Sequence, residues 1–169
     1  MTSIKTRERG GPMMAQQQNG GRMYKHILIP TDGSKLSEKA VEAGIEFARS
    51  INARVTGFTA VPEYQVPSEA ELMSKHGISL DDYERDAKKQ AELALQPIAD
   101  RARAAGVEYD ADYTQSDSPH EAIIRAAEKH GCDLIFMASH GRRGLSALVH
   151  GSETQGVLTH SSIPTLVYR

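Results

Sequence analysis

The chain has 169 residues, of which 39% are hydrophobic and 25% charged, and its formal net charge is −2. This length and apolar content predict one globular domain with a tail, and the charge argues against a nucleic-acid-binding protein, which needs a basic surplus. The longest clean apolar run, Leu134–Ala138, is too short to span a bilayer, and no segment has the apolar centre of a secretory signal. The single cysteine, Cys132, excludes an internal disulfide and a thiolate metal cluster, so the composition fits a cytoplasmic protein.

Residues 1–22 differ in composition from the rest of the chain. They contain four glycines, a run of three glutamines and almost no hydrophobic periodicity. Segments of this kind do not bury enough apolar surface to fold. The sequence therefore predicts a disordered leader over residues 1–22 and a folded domain over residues 23–169.

Strands and helices alternate from residue 24 onward. An apolar run predicts a strand at residues 26–30, and turn residues at 31–34 separate it from a helix whose apolar residues recur at helical spacing up to Ile51. Residues 55–61 predict the second strand. After a long loop over residues 62–79, a charged helix is predicted from about residue 80 to residue 105, where Gly106 is suited to end it.

The second half of the chain continues this alternation. Residues 107–113 alternate strictly between apolar and acidic side chains, which predicts a strand at a sheet edge, because a parallel strand buried on both faces is apolar throughout. The letters SPHE at 118–121 predict a capping box that opens a helix ending near Gly131. Residues 133–138 predict the most buried strand, SETQ at 152–155 predicts a second capping box, and residues 165–168 predict the last strand.

This order predicts an α/β fold: a single-domain, Rossmann-like three-layer sandwich with a five-stranded parallel sheet and helices on both faces. Ligands of such folds bind beyond the carboxyl ends of the strands. The loops that leave the first and fourth strands are therefore the candidate functional loops.

Both loops carry residue types that suit a nucleotide. Asp32, directly after the first strand, can accept hydrogen bonds from ribose hydroxyls, or it can merely organise the turn. After the fourth strand, Gly141 permits a nest of backbone amides. Gly151 and Ser152 are expected to present free N–H groups at the start of the last helix, where the helix dipole favours an anion. Two such cradles suit a polyphosphate.

Side chains near these amides can contribute as well. The hydroxyls of Ser152 and Thr154 can add donors, and Arg142 and Arg143 can lie over the phosphates. The alternative is a glycine-rich surface loop with a satisfied helix cap and solvated arginines.

Three segments together resemble the universal stress protein family: HILIPTDGS from residue 26, SHGRRGLSALVHGS from residue 139, and IPTLVYR from residue 163. The resemblance covers residues 24–169. The family's nucleotide motif is glycine, two residues, glycine, nine residues, glycine, then Ser or Thr. It falls on Ala138, Gly141, Gly151 and Ser152, with alanine in place of the first glycine. The resemblance implies the ATP-binding branch of the family, with ATP and Mg²⁺ as ligands.

The resemblance also implies roles for individual residues. The implied nucleoside contacts are Pro30, Thr31 and Asp32, with Ala60 as an adenine contact through its backbone. The implied phosphate-side contacts are Ala138, Ser139, His140, Gly141, Arg142, Arg143, Gly144, Gly151, Ser152, Glu153 and Thr154. The family's strand order, 3-2-1-4-5, places residues 107–113 at one edge of the sheet and Thr165–Tyr168 at the other. A homodimer through this last strand is implied, because pairing covers an exposed edge.

Three functions remain open from the sequence. The first is a dimeric signalling or stress-resistance module that binds ATP. The second is a slow ATPase, for which no evident general base or arginine-rich catalytic arrangement accompanies the phosphate loop. The third is a nucleotide-free dimerisation or interaction protein, in which Ala138 marks the loss of the site.

Other kinds of site are not predicted. Histidines recur every ten residues from 120 to 160, a step that is neither helical nor strand spacing and does not indicate a metal site. The sequence lacks the GxxxxGK phosphate loop and the GxSxG nucleophile motif. Ser139 and His140 are not expected to form a catalytic pair, because adjacent strand residues point to opposite faces. Cys132 is predicted to be a small apolar core residue.

Overall fold

The computed structural model describes residues 23–65, 79–140 and 151–169. The strands are β1 His26–Pro30, β2 Arg54–Val61, β3 Tyr109–Gln115, β4 Leu134–Ala138 and β5 Thr165–Tyr168. The helices are α1 Lys35–Ile51, α2 Leu80–Ala105, α3 Pro119–His130 and α4 Ser152–His160. The strands are parallel and lie in the order β3-β2-β1-β4-β5, which confirms the predicted fold. None of the helices in these ranges combines the length and the apolar character that crossing a membrane requires. The predicted leader, residues 1–22, lies outside the described residues.

The core lies on both faces of the central strands, β1 and β4, which are buried along their whole length as their unbroken apolar sequences require. Ile27 and Ile29 pack against α1 and α2 on one face, whereas Leu28 and Ile135 pack against α3 and α4 on the other. Cys132 belongs to the second cluster, where burial raises the pKa of its thiol to about 12. It is therefore a core residue, as predicted.

The ends of α1, α2 and α3 follow local sequence signals. The hydroxyls of Ser34 and Ser79 accept hydrogen bonds from the amides of Ser37 and Asp82, each at 3.2 Å. At the other end, Gly106 closes α2 with φ of 68° and Gly131 closes α3 with φ of 64°. Both glycines adopt the left-handed conformation predicted for a residue that ends a helix.

The two predicted capping boxes are wrong. Ser118 precedes α3 but its side chain makes no capping hydrogen bond, and the residue before α4 is Gly151 rather than Ser152. The amide of His120 in the first turn of α3 donates instead to the Glu153 carboxylate, at 2.8 Å. A carboxylate from another helix thus replaces the local cap, because the tertiary fold brings the N-terminal ends of α3 and α4 together.

Strand β3 lies at a sheet edge, as its alternating sequence predicted, but the burial of its side chains does not follow the alternation. Its span is Tyr109–Gln115 rather than residues 107–113, and Ala111 and Tyr113 are exposed although they lie on the apolar side of the alternation. The carboxylates of Asp110 and Asp112 accept hydrogen bonds from the amides of Ala111 and Tyr113, at 2.8 and 2.9 Å. Acidic side chains of β3 therefore bind two of the outward-facing amides of its own edge.

The opposite edge of the sheet is β5. Its inner side pairs with β4, since the amide of Ile135 donates to Pro164 O at 2.9 Å and the amide of Ser139 donates to Tyr168 O at 2.7 Å. The N–H and C=O of one strand residue point to the same side, and successive residues alternate. Thr165 and Val167 therefore direct their backbone N–H and C=O groups away from β4, toward the open edge.

Candidate functional site

Two cavities open at the carboxyl ends of the strands. The larger, of about 640 Å³, lies on the face covered by α3 and α4, and the smaller, of about 480 Å³, is lined by residues of α1 and α2. The smaller cavity contains only three of the predicted site residues, Thr31, Asp32 and Ala60. The larger brings together Pro30, Thr31, Asp32, Ala60, Ala138, His140, Gly151, Ser152, Glu153 and Thr154. The larger cavity is therefore the candidate site.

The loop after β1 forms one wall of the candidate site and is held by hydrogen bonds to β2 and within its own turn. The amide of Thr31 donates to Phe58 O at 2.8 Å, and the Thr59 hydroxyl donates to Thr31 O at 2.9 Å. The carboxylate of Asp32 accepts a hydrogen bond from the amide of Ser34 at 3.0 Å. Asp32 thus organises the turn and also lines the cavity, so the two roles considered for it are compatible.

The start of α4 forms the opposite wall. The Thr154 hydroxyl donates to Ala138 O at 3.0 Å, and the amide of Gly151 donates to Ser139 O at 2.9 Å. Two of the donors predicted to face an anion, the Gly151 amide and the Thr154 hydroxyl, are therefore bound to the end of β4, and the prediction of a free Gly151 amide is wrong. These bonds hold the start of α4 against the residues that follow β4. Gly151 lies so near His140 that a β-carbon added to Gly151 would be 3.1 Å from His140 Cα.

Ser139 and His140 also differ from expectation. Ser139 is buried and does not line the cavity, whereas His140 does. Their side chains are in contact, with 3.1 Å between Ser139 Oγ and His140 Nδ1. The expectation that they point to opposite faces is wrong because β4 ends at Ala138, and the alternation of a strand does not extend beyond it.

Few of the described side chains that line the candidate site are ionisable. Among the described residues that line it, the ionisable ones are Asp32, Asp117, Glu153 and His140, and none is lysine or arginine. The predicted contacts Gly141, Arg142, Arg143 and Gly144 lie outside the described residues. Within the described ranges, no group of three or more His, Cys, Asp or Glu side chains is arranged to hold a metal ion.

The third wall of the site is the loop after β3, which was not among the predicted site segments. Ser116 and Asp117 line the cavity, and Asp117 accepts a hydrogen bond from the amide of Glu63 at 3.0 Å, which ties this loop to the end of β2. A signal was available: the carboxyl ends of all parallel strands meet at one edge of the sheet, so the polar residues after the third strand belonged among the candidates.

The fold and the sequence both have known relatives. The family model for the universal stress protein family matches residues 23–169. Universal stress protein MJ0531 of Methanocaldococcus jannaschii is 31% identical over 157 residues, which cover 90% of this chain and 86% of that protein. The solved structure of protein MJ0577 from the same organism superposes with a TM-score of 0.67 at 25% identity, covering 86% of this chain and 95% of that one.

Other solved structures of this fold contain adenine nucleotides. A universal stress protein in complex with cAMP has a TM-score of 0.63 at 23% identity and covers 86% of this chain and 97% of its own. A universal stress protein of Archaeoglobus fulgidus is described in complex with dAMP, and one of Arabidopsis thaliana with AMP bound. At these identities the likeness to solved structures shows the fold alone. The family is shown by the family model, which covers the whole described part of the chain. The chain therefore belongs to the universal stress protein family.

Proposed function

We propose that the chain binds an adenine nucleotide, ATP with Mg²⁺, in the larger cavity. The observation that carries this proposal is that the loop after β1 and the start of α4, which are distant in sequence, face each other across one cavity of about 640 Å³. This volume lies in the range of small-molecule sites. The cAMP, dAMP and AMP bound by other proteins of this fold support an adenine nucleotide as the ligand class.

The lining suggests how such a ligand would lie. The Asp32 carboxylate would accept hydrogen bonds from ribose hydroxyls, and the backbone of Ala60 would contact the adenine. The phosphates would lie at the first turn of α4, where amides without a partner inside the helix and the helix dipole favour an anion. Mg²⁺ would be bound to the phosphates and reduce their negative charge, which otherwise faces the carboxylates among the described lining residues.

The proposal includes a homodimer that acts as a signalling or stress-resistance module in the cytoplasm. The two edges of the sheet support pairing through β5: two outward amides of β3, those of Ala111 and Tyr113, are bound by aspartates of the same strand, whereas Thr165 and Val167 direct theirs to the open edge. An open edge is a template for another strand. A buried thiol at Cys132 and a nucleotide ligand suit a reducing compartment.

Two alanine-to-phenylalanine variants test the nucleotide site. Ala60 and Ala94 are both half-buried, but Ala60 packs on the side of the larger cavity and Ala94 lines only the smaller one. A phenyl ring at Ala60→Phe would occupy the space for the base, so we expect its ATP affinity to fall about tenfold or more, while Ala94→Phe binds like the wild type. Isothermal titration calorimetry with MgATP measures both affinities, and thermal unfolding checks the fold. A folded wild-type protein that gives no heat with any adenine nucleotide would contradict the proposal.

A further inference from the structure

Glu153 has an unusual position, because its carboxylate joins the N-terminal ends of two helices. One oxygen, Oε2, accepts a hydrogen bond from the backbone amide of His120 at 2.8 Å and lies 3.1 Å from His120 Nδ1. An ionised carboxylate only accepts, so the second contact is a hydrogen bond in the forms of the imidazole that carry a proton on Nδ1. The other oxygen, Oε1, accepts from the Ser152 hydroxyl at 3.2 Å. Both oxygens are therefore held, and the charge has a fixed place in the first turn of α4.

This fixed charge lies where the proposed function puts the phosphates. Glu153 lines the cavity, and its side chain is 42% exposed. The positive end of the α4 dipole attracts an anion, but a carboxylate within the same turn offsets that attraction. The other described carboxylates of the lining, Asp32 and Asp117, add to the negative potential. Each further phosphate on a nucleotide therefore meets more repulsion from the Glu153 carboxylate.

We infer that Glu153 sets the nucleotide charge that the site accepts: it disfavours a metal-free triphosphate relative to a monophosphate, and it thereby makes ATP binding depend on Mg²⁺. This inference rests on the proposed function, since it concerns the same cavity. Mg²⁺ binds phosphate oxygens and reduces the charge that faces the carboxylate. AMP has one phosphate and carries less charge, so it depends less on the metal.

The substitution Glu153→Gln tests this role while it keeps an acceptor for the His120 amide. We measure ATP and AMP affinities by calorimetry in EDTA and again with excess Mg²⁺. In EDTA, Glu153→Gln is expected to increase the ATP-to-AMP affinity ratio about fivefold to tenfold. With Mg²⁺, the wild type is expected to gain more ATP affinity than the variant. Glu153→Asp keeps the charge and should keep the wild-type ratio.

A matched control removes the same charge elsewhere. Glu121 lies in the first turn of α3 beside Arg125 and does not line the cavity, so Glu121→Gln should leave the ratio unchanged. If Glu153→Gln leaves the ratio at the wild-type value, or if Glu153→Asp changes it as much as Glu153→Gln does, the role of Glu153 is overturned while nucleotide binding stands. If the folded wild type binds neither AMP nor ATP under either condition, the proposed function itself is overturned.

Discussion

His26, at the start of β1, is an ionisable residue that the fold buries. It is 5% exposed, and its Nε2 lies 2.8 Å from the Thr56 hydroxyl. Burial lowers the pKa of this imidazole, and the charge of Arg54 acts in the same direction. His26 is therefore protonated at a lower pH in the folded chain than in the unfolded chain, where it takes up a proton near the ordinary pKa of 6.5.

This shift predicts a loss of stability in mild acid. Above the ordinary pKa the imidazole is neutral in both states and contributes no pH dependence. As the pH falls from about 7 to about 5, the unfolded chain gains the proton first, and the free energy of unfolding falls by at most about 1.4 kcal/mol per pH unit for this one group. Urea denaturation at several pH values should show that His26→Gln flattens this fall. His160 is exposed, so His160→Gln is the control and should keep the wild-type slope. An unchanged slope in His26→Gln would contradict the assignment of this pH dependence to His26.

For single residues, the sequence predicted where the site residues lie better than it predicted their hydrogen-bond partners. Ten of the predicted site residues line one cavity because motif spacing and topology determine where backbone segments lie. The partners of Gly151 and Thr154 depend on how closely α4 approaches the end of β4, a distance that no local pattern encodes. The same holds for Asp117, whose loop reaches the site only because β3 pairs with β2 in the sheet.

At the scale of the element, the helix starts differ in what holds them, and two serines test the difference. Ser34 and Ser118 are both half-buried and both precede a helix, but only Ser34 makes a capping hydrogen bond. Ser34→Ala should lower the free energy of unfolding by about 1 kcal/mol, and Ser118→Ala by less than about 0.5 kcal/mol, because the latter removes no cap. Chemical denaturation measures both. Equal losses in the two variants would mean that the Glu153 carboxylate does not replace the serine at α3.

The elements themselves were largely predictable. The unbroken apolar sequences of β1 and β4 and the glycines at 106 and 131 gave correct types and nearly correct ends. The errors are confined to places where a tertiary contact replaces a local one: the caps of α3 and α4, and β3, whose hydrogen bonds to β2 continue past residue 113 to Gln115. Local patterns carry no information about a partner that is distant in the sequence.

The proposed dimer can be tested without disturbing the sheet. Val167→Pro removes an N–H that points away from β4, so the β4–β5 pairing is kept while the outer edge loses a donor. We expect this variant to be monomeric by light scattering coupled to size exclusion, whereas the wild type is dimeric. Ala111→Pro makes the same change at the β3 edge and should remain dimeric. A monomeric wild type, or a dimeric Val167→Pro, would contradict pairing through β5.

The aspartates at 110 and 112 have a consequence for how large an assembly of this chain can become. A sheet with an unpaired edge on both sides could add further copies at each edge and lengthen into a fibre. Here the β3 edge has the outward amides of Ala111 and Tyr113 bound from within the chain, whereas at the β5 edge Thr165 and Val167 direct theirs outward. If two copies pair through β5 as proposed, the edges left outside the pair are the two β3 strands, which offer fewer amides to a third copy, so the assembly is expected to stop at a pair.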